Sequence, residues 1–390
     1  DENLKPWLLE INSNPSLSVQ GGDGDDGEGE QSAIDVEVKR KAVGDGLRIV
    51  WEHWRGNGDD FDSGSYSQCH FDRFSHMLVL HQVREGFEAF AAYHGKVYTS
   101  AQEKSYRAAV FKANVLAIKA HNEAASLSRE TFTKKVNKFA DMTADEFAAQ
   151  MLKGHGIAAP KAAHKGGVLD KTIDWREQNA VTAVGNEGQC GAPWAFSAAA
   201  AMECAHSQAT GELVRLSRQQ LVDCATGSQG CNGGLMNTTY EYVINAGGVE
   251  SSANYPYTGQ TDPCKYKKDT SPVAATFSSY VNVPENDEDA LQKAIYESGV
   301  VAVGLYTDAN KWQFYTSGVL TYNDCGGAAP FLNHALSLVS LGVDEKTGMA
   351  YYAAKNMWGE NWGLKGYINL ERGTNACGLA GEASYPIVWA

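Results

Sequence analysis

The sequence has no apolar run long enough to cross a bilayer. Its most hydrophobic stretch, Ala195 to Met202, is short, alanine-rich and broken by Ser197, and so reads as a buried helix. It also lacks an excess of basic charge. The formal net charge is -14, which argues against nucleic acid as the main partner, because phosphate binding needs a basic surface. No secretory signal stands at its start: residue 1 is Asp1 rather than Met, and acids occupy the place of a basic n-region. Asp1 is therefore expected not to be the true start of the gene product. What is present is ordinary for a globular chain, with 43% hydrophobic and 21% charged residues over 390 positions, room for two or three domains. The acidic run Asp23 to Glu30 reads as a solvated linker.

The eight cysteines are Cys69, Cys190, Cys204, Cys224, Cys231, Cys264, Cys325 and Cys377. Six lie in the last half of the chain at spacings that suggest a disulfide framework, and hence an oxidising compartment. A set of buried free thiols is the alternative.

Residues 1–54 look like a separate piece. Asp1 to Leu17 reads as a strand with Glu10 and Asn12 projecting, and Asp35 to Val50 as a helix. The segment resembles the C-terminal tail of the tubulin tyrosine ligase-like family, an ATP-grasp fold in which such a Glu-x-Asn pair holds the magnesium of ATP; oxygen ligands of this kind suit a hard cation. No nucleotide-binding lysines, glycine-rich loop or remaining sheet accompany it. Glu10 and Asn12 would thus bind metal only beside an upstream ATP-grasp domain, and no cofactor is expected in this chain. The resemblance implies tubulin or microtubules as possible partners and a cytoskeletal or ciliary location. Residues 55–84 form a polar linker without an assignable motif.

From Glu85 the pattern turns helical. Glu103, Arg107, Phe111, Asn114, Ile118 and Asn122 follow at steps of 4, 4, 3, 4 and 4, one face of a helix about five turns long. A charged pair, an aromatic and two asparagines on one stripe are unusual for plain core. All six positions resemble the ERFNIN helix of papain-like propeptides. Phe87 to Tyr98 and Asn137-Lys-Phe-Ala-Asp141 are similar to the same propeptide, although Lys135 stands where its motif has glycine. The resemblance continues through a Gly/Ala/Lys linker into a mature-like domain beginning near Ile173-Asp-Trp-Arg176. It divides the chain into an inhibitor propeptide at 85–153, a linker at 154–170 and a peptidase-like domain at 171–390. It implies an α+β papain-like fold with a helical half, a β-barrel-like half, a cleft between them and the chain's own propeptide in that cleft.

The family's catalytic segment, Gln-Gly-x-Cys-Gly-Ser-Cys-Trp, stands here as Glu187-Gly-Gln-Cys-Gly-Ala-Pro-Trp194. Matching Cys190-Gly191 and Trp194-Ala-Phe196 on both sides puts Pro193 at the nucleophile position and Glu187 at the oxyanion-hole glutamine. His334 lies 141 residues after Pro193 and corresponds to the general base. Asn356 would orient its imidazole, and Trp358 would shield that contact, with Met357 replacing a common serine. Alone, His334 would be an ordinary core histidine; the motif around it carries the assignment.

The resemblance also implies a substrate cleft at Gly233, Gly234, Leu235, Gly304, Leu332, Asn333, Trp358 and Ala380. Leu235, Gly304, Leu332 and Ala380 are candidates for an apolar pocket, or are simply core residues. It implies disulfides Cys190–Cys231, Cys224–Cys264 and Cys325–Cys377, leaving Cys69 and Cys204 unpaired. Asn237-Thr-Thr239 is a glycosylation sequon, weak alone. Proline carries no nucleophilic atom, so the expected function is a pseudopeptidase that binds peptides or proteins. The competing readings are hydrolysis through a substitute nucleophile, with Cys190 the only nearby cysteine, and an inert microtubule-associated module. Disulfides and family point to a lysosomal or secretory compartment, and the N-terminal segment to the cytoskeleton.

Overall fold

The structure, a computed structural model, describes residues 86–152, 157–158, 167–325 and 331–388. The expectations on residues 1–54 and 55–84, including Glu10, Asn12 and Cys69, lie outside the described residues, as does most of the linker 154–170. Among the described residues no helix is long and apolar enough to cross a membrane.

The first part is helical. Helix α1 covers residues 86–93 and α2 covers Ala101–Ser126. Ser100 caps α2 by accepting the Glu103 N–H, and the Glu103 carboxylate accepts from the Thr99 N–H and hydroxyl at 2.7 and 2.6 Å. The six-residue stripe turns inward. Phe111 and Ile118 are buried, while Asn114 Nδ2 donates to the carbonyls of Ala140 and Met142, both at 2.9 Å. Asn122 pairs with both backbone groups of Lys134, and Arg107 reaches the Asp141 carbonyl and the Glu146 carboxylate. Arg107, Asn114 and Asn122 thus clamp the segment that follows, which carries strand β1 (Phe132–Lys134) and helix α3 (Ala144–Met151). A reciprocal capping box between Thr143 and Glu146 starts α3.

After β2 (Ile157–Ala158) and β3 (Ile173–Asp174) comes α4 (Pro193–Thr210), followed by α5 (Arg218–Cys224) and α6 (Met236–Ala246). The chain continues with β4 (Val249–Glu250), β5 (Val273–Ala275), β6 (Ser279–Asn282), α7 (Glu288–Ser298), β7 (Val301–Leu305) and α8 (Ala309–Trp312). It ends with β8 (Tyr315–Leu320), β9 (Phe331–Leu332), β10 (His334–Val343), β11 (Ala350–Lys355), β12 (Tyr367–Glu371) and β13 (Glu382–Ile387). The stretch Ala195 to Met202 is buried within α4, as its composition suggests; its small side chains let the helix lie close on β7, β10 and β13.

One core gathers around α4, α5 and α6, and a second lies among the strands and α7. The fold is thus α+β with a papain-like division into helical and strand-rich halves. The expectation of a barrel-like half needs correction: the main sheet runs β1-β8-β12-β11-β10-β7-β13-β6, with β3 also on β10, and does not close. Its end strands, β1 on β8 and β6 on β13, do not pair with each other.

A third core, Phe87, Phe90, Phe111, Ile118 and Ala140, takes in Phe314 from the later domain, while Phe132, Phe139, Phe147 and Met151 enter the sheet core. The exchange is reinforced by polar contacts. Gln313 Nε2 donates to the carbonyls of Phe139 and Met142, Asn137 Nδ2 donates to the Gln313 carbonyl, and the Lys135 N–H to that of Phe314. The prosegment is therefore a structural part of the described unit.

Gly318 makes the β1–β8 approach possible. Its φ is +91°, and a Cβ there would lie 2.4 Å from the Thr131 oxygen and 2.7 Å from the Phe132 Cα. Gly318→Ala is expected to weaken prosegment docking by more than about 1 kcal/mol. Hydrogen exchange would check this, with amides 131–135 speeding up while those of β10 and β11 stay protected.

Candidate functional site

The His334 side chain opens strand β10 and is fully buried. Its Nε2 lies 3.0 Å from Asn356 Oδ1, which also accepts the Met357 N–H at 2.9 Å. That second bond fixes the Asn356 oxygen as an acceptor, so the proton sits on His334 Nε2. The Trp358 ring stacks on the imidazole with centroids 4.9 Å apart. The family resemblance implies this pairing; antiparallel β10 and β11 bring their opposite ends together to make it. Immediately before Asn356, burial pushes the Lys355 ammonium down to about 7, against the attraction of the buried Glu203 carboxylate.

Pro193 is the first residue of α4, where no intrahelical N–H bond is required. Just before it, the Ala192 N–H donates to Glu187 Oε2 at 3.0 Å, and the Trp358 indole N–H donates to Oε1 at 2.9 Å. The Glu187 backbone N–H bonds to the Met357 carbonyl and its own carbonyl accepts the Tyr257 hydroxyl. Glu187 therefore braces the approach to α4 against the segment carrying Asn356 and Trp358. An unbroken set of contacts runs from Ala192 through Glu187 and Trp358 to His334 and Asn356.

The sulfurs of Cys190 and Cys231, Cys224 and Cys264, and Cys325 and Cys377 are bonded, and Cys204 is a free, buried thiol. Cys190 is thus held in a disulfide beside the candidate centre. No cluster of three or more His, Cys, Asp or Glu that could hold a metal occurs among the described residues.

The expected cleft residues separate into distinct surroundings. Gly233 is buried in the turn that follows Cys231, and Gly234 packs so closely that a Cβ would meet Trp194 at 2.7 Å. Leu235 is the N-cap residue of α6. Gly304 and Leu332 come together: a Cβ on Gly304 would lie 3.2 Å from a Leu332 methyl. Asn333 uses its side-chain amide on both backbone groups of Thr307. Ala380 sits in the sheet core. Glu382 also lies against Gly304, where β13 places it opposite in register.

Sequence reasoning did not single out Glu382. Its Oε2 is buried without a hydrogen-bond partner, and burial pushes its carboxyl up to about 7. The available signal was an acid at the start of a mostly apolar strand, Glu-Ala-Ser-Tyr-Pro-Ile. Lys138 was also passed over as a site residue. It lies on the prosegment, with Nζ 3.3 Å from Asn186 Oδ1.

The prosegment reaches this centre from two directions. Phe139 and Phe147 meet Trp358 edge-on at 6.1 and 5.2 Å. Strand β2 pairs with β9, Ile157 opposite Leu332, two positions before His334.

Comparison with known proteins agrees with this arrangement. Residues 169–387 match the family described as papain family cysteine protease, and residues 87–147 match the cathepsin propeptide inhibitor domain. A senescence-specific cysteine protease of Arabidopsis thaliana is 40% identical over 311 residues, covering 76% of this chain and 87% of that protein. Cathepsin L of Sarcophaga peregrina is 35% identical, with 79% and 94% covered. Among solved structures, digestive procathepsin L 3 of Tenebrio molitor superposes with a TM-score of 0.69 at 35% identity, covering 78% of this chain and 99% of that one.

Glu382 yields a measurable pH effect. Its carboxyl ionises near 4.5 when unfolded but only near 7 when folded, so the native state holds the extra proton between these values. Its contribution to stability is greatest below pH 4.5 and declines as pH rises to 7. Compared with Glu382→Gln, the native chain is expected to lose up to about 3 kcal/mol over that interval. Urea unfolding of both proteins checks it; parallel pH profiles would show that the carboxyl is not perturbed.

Proposed function

The chain belongs to the papain family of cysteine proteases and carries that family's propeptide, and from this premise we propose that it acts by binding, as a pseudopeptidase. The observation that carries this reading is Pro193 at the first position of α4, in the segment that matches the family's catalytic cysteine. Hydrolysis in this family needs a thiolate activated by an imidazole. Proline supplies no nucleophile, and it also lacks the backbone N–H that would donate to a tetrahedral oxyanion. At the second donor position, both Glu187 oxygens accept N–H groups instead of offering one. Losing one oxyanion donor costs roughly 3 kcal/mol of barrier; here both donors and the nucleophile are gone. His334 and Asn356 keep the base and its orienting partner with nothing to activate.

The substitute-nucleophile alternative finds no support, since the Cys190 sulfur is bonded to Cys231. Residues 1–54, whose resemblance to a tubulin ligase tail would bring tubulin as a partner, lie outside the described residues, and the reading rests on residues 86–388 alone.

Without a nucleophile the chain cannot release its own prosegment. Unless another protease cuts the 154–170 linker, the prosegment stays tethered at an effective concentration on the order of millimolar. The cleft is then closed for most of the time, and partners meet the full-length chain.

Fluorogenic dipeptide substrates under acidic, reducing conditions test the reading. No turnover is expected from the native chain, before or after prosegment cleavage in trans. Pro193→Cys with Glu187→Gln is expected to gain activity, and to exceed Pro193→Cys alone by about a hundredfold. Native turnover that disappears in His334→Ala would overturn the reading.

A further inference from the structure

We propose that the corner of the cleft formed by Asn186 and Glu187 is a receptor for a lysine ammonium group, filled within the chain by Lys138. This deepens the binding reading by naming the chemistry of the ligand, and it rests on that reading only for its use in recognising a partner.

Three observations converge on this corner. The first is geometric. Lys138 lies on the prosegment between β1 and α3, and its Nζ donates to Asn186 Oδ1 at 3.3 Å while resting 4.9 Å from the Phe139 ring centroid. An acceptor and an aromatic face together suit an ammonium. Second, the corner is negative where a hydrolytic relative needs donors. Glu187 is buried, and its two oxygens are oriented by the Ala192 and Trp358 N–H groups. A carboxylate held there repels an oxyanion and attracts a cation. Burial lowers the Lys138 ammonium to about 8, and the attraction of Glu187 is the main influence keeping it charged, against the like charge of Lys96.

Third, there is space for a ligand. A cavity of about 980 Å³ lies mostly within the prosegment, with Lys138 and Phe139 among its walls, and reaches the domain at Asn186, Gly188 and Gln189. Asn186 already borders this space, and removing the Lys138 side chain would vacate its acceptor. A peptide presenting lysine could then take the same position.

The test is chemical rescue in the full-length chain, read as hydrogen exchange of amides 137–147. Lys138→Ala is expected to speed that exchange about three- to fivefold, the scale of one partly exposed hydrogen bond from a charged donor. Butylammonium should restore the slower exchange, and butanol, of similar shape but neutral, should not. Glu187→Gln should speed exchange by a similar factor. The double variant should be no faster than either single one, since the two groups act as a pair, and butylammonium should no longer slow it. Multiplicative single effects, or equal rescue by butanol and butylammonium, would overturn the proposal. Lys138→Arg guards against a misfolded variant: exchange near the native rate is expected, whereas exchange as fast as in Lys138→Ala would show that charge is not what is read. None of these measurements involves turnover, so failure here and failure of the binding reading are separate results.

Discussion

Trp358 joins four parts of the chain around one buried indole. Its N–H holds the Glu187 carboxylate, its face lies on His334, and its edges meet Phe139 and Phe147 of the prosegment and Trp362 of the sheet core. Protein interiors are close-packed, so a large ring touched on every side has little freedom to move. The orientation of the imidazole, the position of the acid and the seat of the prosegment aromatics consequently depend on one side chain. A change at any of them is transmitted to the other two.

This dependence explains how the centre keeps its form with proline at residue 193. Each residue around Pro193 has a structural use apart from chemistry. His334 begins a buried strand, Asn356 satisfies the Met357 N–H, Glu187 ties the approach to α4 to Trp358, and Cys190 closes a disulfide. Proline fits the first turn of a helix, where its missing N–H would have had no intrahelical partner. The deeper helical core is likewise independent of the centre's chemistry. There Glu203 is paired with Arg218, accepts from Thr182 and Leu216, and attracts Lys355. Breaking such a buried pair by removing one partner is far more costly than substituting a residue at a helix terminus.

Much of the arrangement could be read from the sequence because it is local or follows fixed spacing. The stripe from Glu103 to Asn122 is periodic, and the ordered cysteines and the motifs around His334 and Asn356 lie in continuous segments. What escaped depends on register between distant strands. Glu382 meets Gly304 only because β13 pairs with β7 in one particular alignment, and a shift of one residue would turn its side chain to the other face. Asn333 was read as a cleft residue, and its amide also completes the hydrogen bonds of Thr307, a partner that sequence spacing does not reveal. The order of the sheet escaped for a related reason: β1 belongs to the prosegment, and its pairing with β8 joins residues about 185 positions apart.

Strand β1 has a consequence for solubility. An uncovered sheet edge offers unpaired backbone donors and acceptors that can template association with another chain. Here Phe132 to Lys134 cover the edge of β8, the Thr133 and Ser317 hydroxyls bond across the pair, and Lys134 holds a positive charge beside it. A chain that keeps its prosegment keeps this edge capped throughout its lifetime. A chain that loses it bares β8 to self-association, so the covalent link guards against aggregation whether or not anything ever enters the cleft.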